Sequence, residues 1–172
     1  MGTLFAGRPA ADSEAAVAEL FEARYAEMVR LAGLLGADDA EDVAQEAFAR
    51  LLDRYGELRD SAAAIGYVRS TVCNLTRNRL RHLGLARRVA PRLALVSGPS
   101  LEQRAITRED HEEVLVAVAA LPRRQREAVV LRYWLELTEA EIADAMGIAA
   151  GTVKSLVSRG VATVGKKLEA LA

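Results

Sequence analysis

A glycine flanked by apolar residues at fixed distances constrains the fold of this chain more than any other feature. Gly147 follows Ala143 by four positions and precedes Val153 and Leu156. A small residue such as Ala143 lets two helices pack closely, and glycine adopts the left-handed backbone angles of a tight turn at little steric cost. Further apolar residues fill the expected buried positions: Ile142, Met146 and Ile148. The spacing predicts a helix-turn-helix over residues 139–158, a unit whose second helix fits the major groove of DNA.

The second helix of this unit has one face suited to nucleic acid. If Val153, Leu156 and Val157 face the core, the opposite face carries cations and short polar groups, which suit phosphates and base edges. A helical hairpin used only for protein contact is the alternative. We expect the DNA-contacting residues to be Gly151, Thr152, Lys154, Ser155, Ser158 and Arg159, with Arg126 holding the flanking DNA backbone.

Charge is distributed unevenly along the 172 residues, although the net charge is only −1. Residues 1–60 carry 13 acidic and 6 basic side chains. Residues 61–101 carry seven arginines and no acid, and residues 102–172 carry 11 acidic and 10 basic side chains. The asymmetry indicates two different partners, one cationic and one anionic.

Apolar spacing and turn residues predict an all-α chain of two small helical domains joined by a flexible linker. We expect an N-terminal arm over residues 1–14, a helical domain over 15–84, a linker over 85–103 and a second domain over 104–172, which contains the helix-turn-helix. In the first domain, helices are expected over about residues 40–55 and 65–83. Asp38 and Glu41 have the spacing of a capping box for the earlier of these helices, and a polar loop follows it at residues 57–63.

The helix at residues 40–55 has an apolar side, which includes Leu52, and a polar side opposite it. In the simpler interpretation the polar side is a solvated surface, and in the other it docks a basic partner helix. A small residue within the polar side permits close approach of a partner helix, which is consistent with docking. The polar side consists of Asp42, Gln45, Glu46, Ala49 and Asp53.

The helix at residues 65–83 is rich in arginine and contains no acid. Guanidinium groups suit phosphates, and asparagine amides both donate to and accept from base edges. The alternative is that these arginines pair with acids elsewhere in the chain. The acid-free run continues to residue 101, which favours nucleic acid. The candidate residues in this helix include Tyr67, Asn74, Arg77, Asn78 and Arg81.

Other classes of site lack the residues they need. Cys73 is the only cysteine and His82 and His111 have no ligand-spaced companions, so neither a disulfide nor a metal site is expected. We find no phosphate-binding loop, nucleophile elbow or supported pair of carboxylates, and therefore expect no catalytic residues, no cofactor and no small-molecule substrate. No apolar run is long enough for membrane insertion, and a cytoplasmic location is expected.

Taken together, three segments resemble a bacterial RNA polymerase sigma factor of the two-domain extracytoplasmic-function type, within the sigma-70 family. AEDVAQEAFARLLDR, at residues 40–54, is similar to the polymerase-binding helix of that family. YVRSTVCNLTRNRLR, at residues 67–81, is similar to its promoter-melting helix. LPRRQREAVVLRYW and LTEAEIADAMGIAAGTVKS, at residues 121–134 and 137–155, are similar to its promoter-reading domain.

The resemblance implies a role for each surface and a set of partners. The acidic face at residues 40–55 would bind core RNA polymerase. The loop at residues 57–64 with Arg59, together with the basic helix, would hold the minus-10 element, and the helix-turn-helix would read the minus-35 element. The implied partners are core RNA polymerase, promoter DNA and an anti-sigma protein. A helix-turn-helix repressor or activator with an N-terminal sensing or dimerisation domain is the alternative.

Overall fold

The computed structural model describes residues 10–83 and 104–170, with side chains for residues 12–83 and 111–170. These residues form seven α-helices and one 3-10 turn and contain no strand, which confirms the all-α prediction. The residues predicted as the linker lie outside the described ranges. No helix in the described ranges has the length and apolar character to cross a bilayer. The elements are α1 (Ala10–Leu34), α2 (Ala40–Arg54), the 3-10 turn (Tyr55–Glu57), α3 (Ser61–His82), α4 (Arg104–Ala119), α5 (Arg123–Tyr133), α6 (Glu139–Met146) and α7 (Ala150–Glu169).

The N-terminal domain consists of α1, α2 and α3 packed around a shared apolar core. Met28, Val43, Leu51 and Val72 are fully buried at its centre. Helix α1 begins at Ala10, so the prediction of an arm extending to residue 14 is wrong in its last five residues. Alanine has the highest helix propensity, which favours a helix that starts at Ala10. The buried side chain of Val17 ties this first part of α1 to the core.

Helix α2 begins at Ala40, as predicted, but with a different cap, and α3 begins four residues before its predicted start. The residue that precedes α2 is Asp39, whose side chain makes no capping hydrogen bond, so the cap position falls at Asp39 and not at the predicted Asp38. The Asp39 carboxylate is instead ion-paired with Arg79 of α3. Helix α3 begins at Ser61 because the Asp60 carboxylate caps it, accepting a hydrogen bond from the Ala63 backbone N–H at 2.8 Å. A carboxylate in this position satisfies one of the N–H groups that a helix start leaves unpaired.

The C-terminal domain consists of α4 to α7, and α6 with α7 forms the predicted helix-turn-helix. Thr138 and Glu141 make a capping box at the start of α6, in which each side chain bonds the backbone N–H of the other. Helix α6 ends at Gly147, which has φ 65° and ψ 42°, in the left-handed region. The Ile148 N–H then donates to the Ala143 carbonyl at 3.0 Å. This bond closes the turn.

Helix α7 packs against α5 at a point where the two backbones approach closely. Gly160 of α7 is buried there, and a Cβ atom added to it would lie 2.6 Å from Val129 Cγ2 and 3.5 Å from the Gln125 carbonyl oxygen. Glycine is therefore required at this position for packing, which offsets its low helix propensity.

The two domains are in contact with each other. Helix α3 packs against α6, and α3 side chains also reach α5. The contact places the basic helix of the N-terminal domain beside the helix-turn-helix of the C-terminal domain.

Candidate nucleic-acid and polymerase interfaces

The predicted DNA face of α7 is exposed in the structure. Val153 is completely buried and Leu156 and Val157 are partly buried, which turns the opposite side of α7 outward. The Ser155 hydroxyl donates to the Gly151 carbonyl at 3.3 Å. Its oxygen keeps lone pairs for a donor on a base. All six residues predicted on this helix are exposed: Gly151, Thr152, Lys154, Ser155, Ser158 and Arg159.

Arg126, which was expected to hold the DNA backbone, lies in the interior instead. It is only 6% exposed, and its guanidinium donates to the Leu35 carbonyl at 3.5 Å and the Leu121 carbonyl at 3.3 Å. Burial lowers its pKa, with a smaller contribution from the nearby charge of Arg123. The prediction fails because Arg126, in the first turn of α5, points toward the end of α1, where the Leu35 carbonyl needs a hydrogen-bond donor.

Most of the predicted minus-10 residues lie on the outside of the N-terminal domain. Arg59, Asn74, Asn78 and Arg81 are all exposed. Tyr67 is half-buried, and the Arg54 guanidinium lies 6.0 Å from the centre of its ring. A hydrogen bond with Tyr67 is the largest contribution that raises the pKa of Arg54. The accessible side chains form a polar and cationic strip along α3 and the segment that precedes it.

Three arginines of α3 are ion-paired within the protein. The alternative interpretation, in which the arginines of this helix pair with acids elsewhere in the chain, therefore applies to them. Arg69 lies 3.6 Å from the Glu27 carboxylate of α1. Arg79 bonds Glu46 of α2 at 2.8 Å. Arg77, which was predicted to contact the minus-10 element, pairs with Glu127 of α5. These acids lie far from α3 in the sequence, so no local pattern reveals the pairing.

The acidic face of α2 is accessible except where one residue is held by arginines. Asp42, Gln45, Ala49 and Asp53 lie on the outside of α2, whereas Glu46 is half-buried between Arg79 and Arg50, whose guanidinium lies 2.7 Å away. Burial alone would raise the pKa of Glu46, but the hydrogen bonds from the two arginines outweigh it and lower the pKa. Four residues of this face are therefore available to a partner, and Glu46 is already occupied.

An apolar area adjoins the acidic face of α2 and was missed by sequence reasoning. Leu52, predicted on the buried side of α2, is 43% exposed, and Phe21 of α1 is 36% exposed. The Phe21 ring stacks on Tyr25 with centroids 4.4 Å apart. Tyr25 in turn accepts a hydrogen bond from Gln45 at 3.4 Å. Exposed apolar residues beside a charged face are typical of protein-binding surfaces.

The remaining reactive side chains have structural surroundings. Cys73 is buried in the core, and burial raises the pKa of its thiol. The thiol therefore stays protonated and unreactive. Within residues 10–83 and 104–170, no group of three or more His, Cys, Asp or Glu side chains is arranged to hold a metal ion.

Comparison with known proteins identifies the family. Residues 111–164 match the family model described as Sigma-70, region 4. The RNA polymerase sigma-E factor of Streptomyces antibioticus is 35% identical over 133 residues, which cover 76% of this chain and 71% of that protein. The chain belongs to the RNA polymerase sigma factors. A second relative gives the type: the ECF RNA polymerase sigma factor SigM of Mycobacterium tuberculosis is 30% identical over 152 residues, which cover 87% of this sigma factor and 76% of SigM.

A solved structure shares the fold of this chain. CnrH, in its complex with the cytosolic domain of CnrY, superposes with a TM-score of 0.62 and 17% identity. The match covers 95% of this sigma factor and 96% of the CnrH chain. As an extracytoplasmic-function sigma factor, the protein binds core RNA polymerase and directs promoter-specific initiation of transcription. The relatives do not favour the alternative of a repressor or activator with a sensing domain.

Proposed function

We propose that this sigma factor uses three separate surfaces for its three contacts. The first is the polymerase face, made of the outward α2 residues Asp42, Gln45, Ala49 and Asp53. Its acidic residues suit a basic helix of the core enzyme, and Ala49 allows that helix to approach closely. Leu52 and Phe21 extend the face with apolar area that a partner would cover. Glu46 supports this surface from within through its bond to Arg79.

The second surface is the minus-10 face of the N-terminal domain. Asn74 and Asn78 of α3 offer amides that read base edges, and Arg59 and Arg81 offer charge for the phosphates. All four have accessible side chains. Tyr67 lies beside them and supplies an aromatic ring on which an unpaired base stacks. This combination suits a DNA strand whose bases are separated from their partners.

The third surface is the minus-35 face at the start of α7. Its support is the turn at Gly147, which sets α7 against α6 so that Val153 is buried and the six polar and small residues face outward. Lys154 and Arg159 bind phosphates or guanine edges, and the two serines read base edges at short range. This exposed face on a helix-turn-helix is the observation that carries the proposal.

Further parts of the proposal concern boundaries, partners and location. We place the minus-10 domain at residues 15–84 and the minus-35 domain at residues 104–172, joined by a linker over 85–103. The protein acts in the bacterial cytoplasm, catalyses no reaction of its own, and is held inactive by an anti-sigma protein.

Reconstitution with purified bacterial core RNA polymerase tests the proposal. The protein is mixed with core enzyme, holoenzyme is isolated by gel filtration, and run-off transcription is measured on templates with and without a candidate promoter. We expect co-elution with core enzyme and transcripts that start at one position. Tight binding to a palindromic duplex without co-elution would show that the protein acts as a free regulator.

A further inference from the structure

A cavity of about 250 Å³ between α3 and α5 is lined mainly by cations. Arginines of both helices reach it: Arg77 and Arg81 from α3, and Arg123 and Arg124 from α5. Among the described residues that line it, Glu127 carries the one carboxylate. Four guanidinium groups beside one carboxylate leave an excess of positive charge, so the cavity favours a negatively charged occupant.

Glu127 neutralises only part of this charge. Its carboxylate bonds Arg77 at 2.6 Å and Arg124 at 3.0 Å. The Arg123 guanidinium donates instead to the backbone carbonyl of Arg77 at 2.9 Å, and a carbonyl carries no net charge. Arg81 forms no hydrogen bond or ion pair with any residue in the ranges 10–83 and 104–170. Two of the four guanidinium groups are therefore available to an anion.

Two buried donors of the lining residues have no hydrogen-bond partner in the part of the chain that the structure describes. Thr76 is 1% exposed, and its hydroxyl makes no hydrogen bond. The hydroxyl of Thr71, five residues earlier in α3, donates in the usual helical way to the Tyr67 carbonyl at 2.7 Å. The Nε–H of Arg77 is also buried and without a partner. Unpaired buried donors are rare in proteins, and a ligand rich in acceptors would satisfy both of them.

The start of α5 adds to the preference for an anion. Its first two residues, Arg123 and Arg124, line the cavity, and Pro122 before them supplies no side-chain cap. The N–H groups in the first turn of a helix have no partner within the helix, and the positive end of the helix dipole attracts negative charge.

The remaining lining residues indicate the kind of anion. A guanidinium group matches the oxygens of a phosphate better than it matches a spherical ion. Leu35, Cys73 and Leu80 supply an apolar wall, which suits a carbon skeleton. The volume is just below the roughly 300 Å³ at which pockets for drug-sized ligands begin, so the ligand must be small.

We propose that this cavity binds a small phosphorylated organic molecule, whose phosphate accepts hydrogen bonds from Thr76, Arg81 and Arg123 and whose carbon skeleton lies against the apolar wall. The ligand is bound and is not converted. Arg77 and Arg81 also belong to the predicted minus-10 residues, so a bound ligand competes with promoter DNA for them. This competition rests on the proposed function, whereas the binding of the ligand does not.

Isothermal titration calorimetry of the full chain with phenyl phosphate tests the site. We expect saturable binding of one molecule, weaker binding of inorganic phosphate, which has no carbon skeleton, and no binding of phenol, which has no phosphate. Thr76→Val keeps the shape of the side chain and removes its hydroxyl. It should weaken phenyl phosphate binding roughly tenfold, the effect of one hydrogen bond to a charged group. Without ligand it should not lower the Tm, because the hydroxyl has no partner to lose.

Thr71→Val is the matched control, because it removes a buried hydroxyl of the same helix that already has a partner. It should leave the affinity for phenyl phosphate unchanged. Arg123→Met, which removes one of the available charges, should weaken the binding as Thr76→Val does. Circular dichroism checks that each variant keeps its helix content.

The absence of saturable phenyl phosphate binding to the folded wild type, or equal affinities in the wild type and Thr76→Val, would refute the site. Binding of duplex DNA without binding of phenyl phosphate would show that these arginines serve nucleic acid only. Core polymerase binding by the same wild-type sample separates the two proposals. Holoenzyme that forms without phosphate binding removes the site and leaves the function, and phosphate binding without holoenzyme counts against the function alone.

Discussion

The close approach of α7 to α5 predicts opposite effects of the same substitution at two glycines of one helix. Gly160 and Gly165 both lie within α7. Replacing either by alanine therefore brings the same gain in helix propensity, about 1 kcal/mol. A Cβ atom at Gly165 meets no atom within 4 Å, whereas one at Gly160 lies 2.6 Å from Val129 Cγ2. Val129 is buried and β-branched, so its side chain cannot easily move aside.

The magnitudes follow from these distances. Overpacking a core position by one carbon typically costs about 1–3 kcal/mol. We therefore expect Gly165→Ala to raise the free energy of unfolding by about 0.5–1 kcal/mol and Gly160→Ala to lower it by up to about 2 kcal/mol. Trp134 is the only tryptophan and lies at the end of α5, so its fluorescence in a urea titration reports the unfolding of this domain.

A second substitution isolates the contact itself. In a Val129→Ala background the space opposite Gly160 opens, and Gly160→Ala should then become neutral or stabilising. The double-mutant cycle measures this coupling between the two positions. If Gly160→Ala stabilises the wild-type domain as much as Gly165→Ala does, the close packing of α5 and α7 described above is incorrect.

Three further predictions concern charge and capping. Thr138→Ala should cost about 0.5–2 kcal/mol of stability. The hydrogen bond from the Thr138 backbone N–H lowers the pKa of Glu141 most and is retained in this variant, whereas the bond from the Thr138 hydroxyl, which also lowers it, is lost. The substitution should therefore raise the pKa of Glu141, measured by NMR, part of the way toward its ordinary value. Because this pKa is depressed in the folded state, the ionised Glu141 contributes to the free energy of unfolding above its unfolded-state pKa. That contribution is lost as the pH falls through the folded-state pKa. A free energy of unfolding that rises on acidification in this range would contradict the cap. Arg79→Met should raise the pKa of Glu46, and an unchanged value would show that Arg50 alone lowers it. Lys154→Ala should weaken binding to a minus-35 duplex and reduce the salt dependence of that binding by about one phosphate contact, and an unchanged slope would remove Lys154 from the interface.

Local features of the sequence predicted the helix-turn-helix well. The turn at Gly147 and the outward face of α7 depend on helical periodicity and on one glycine, both of which are visible within twenty residues. The buried position of Val153 follows from the same period. Membership of the sigma family was also predictable, because it rests on the residue pattern of contiguous segments.

Contacts between distant segments could not be predicted in the same way. The burial of Arg126 depends on the Leu35 carbonyl, 91 residues away in the sequence, and the partner of Arg77 is 50 residues away. Periodicity shows which side of a helix is polar but does not show which polar residues meet an acid on another helix. The start of α3 was missed for a different reason, because Asp60 caps it well before the first large apolar residue of the pattern, Ile65.

The assignment of separate surfaces to polymerase and DNA is tested most directly by measuring both bindings in the same set of variants. One variant reverses charge on the polymerase face (Asp42→Lys with Asp53→Lys), and leaves the ion-paired Glu46 untouched. The other removes charge from the minus-35 face (Lys154→Ala with Arg159→Ala). We expect the first to lose core polymerase binding and keep its affinity for a minus-35 duplex, and the second to show the reverse. Equal losses of both bindings in the two folded variants would contradict the account.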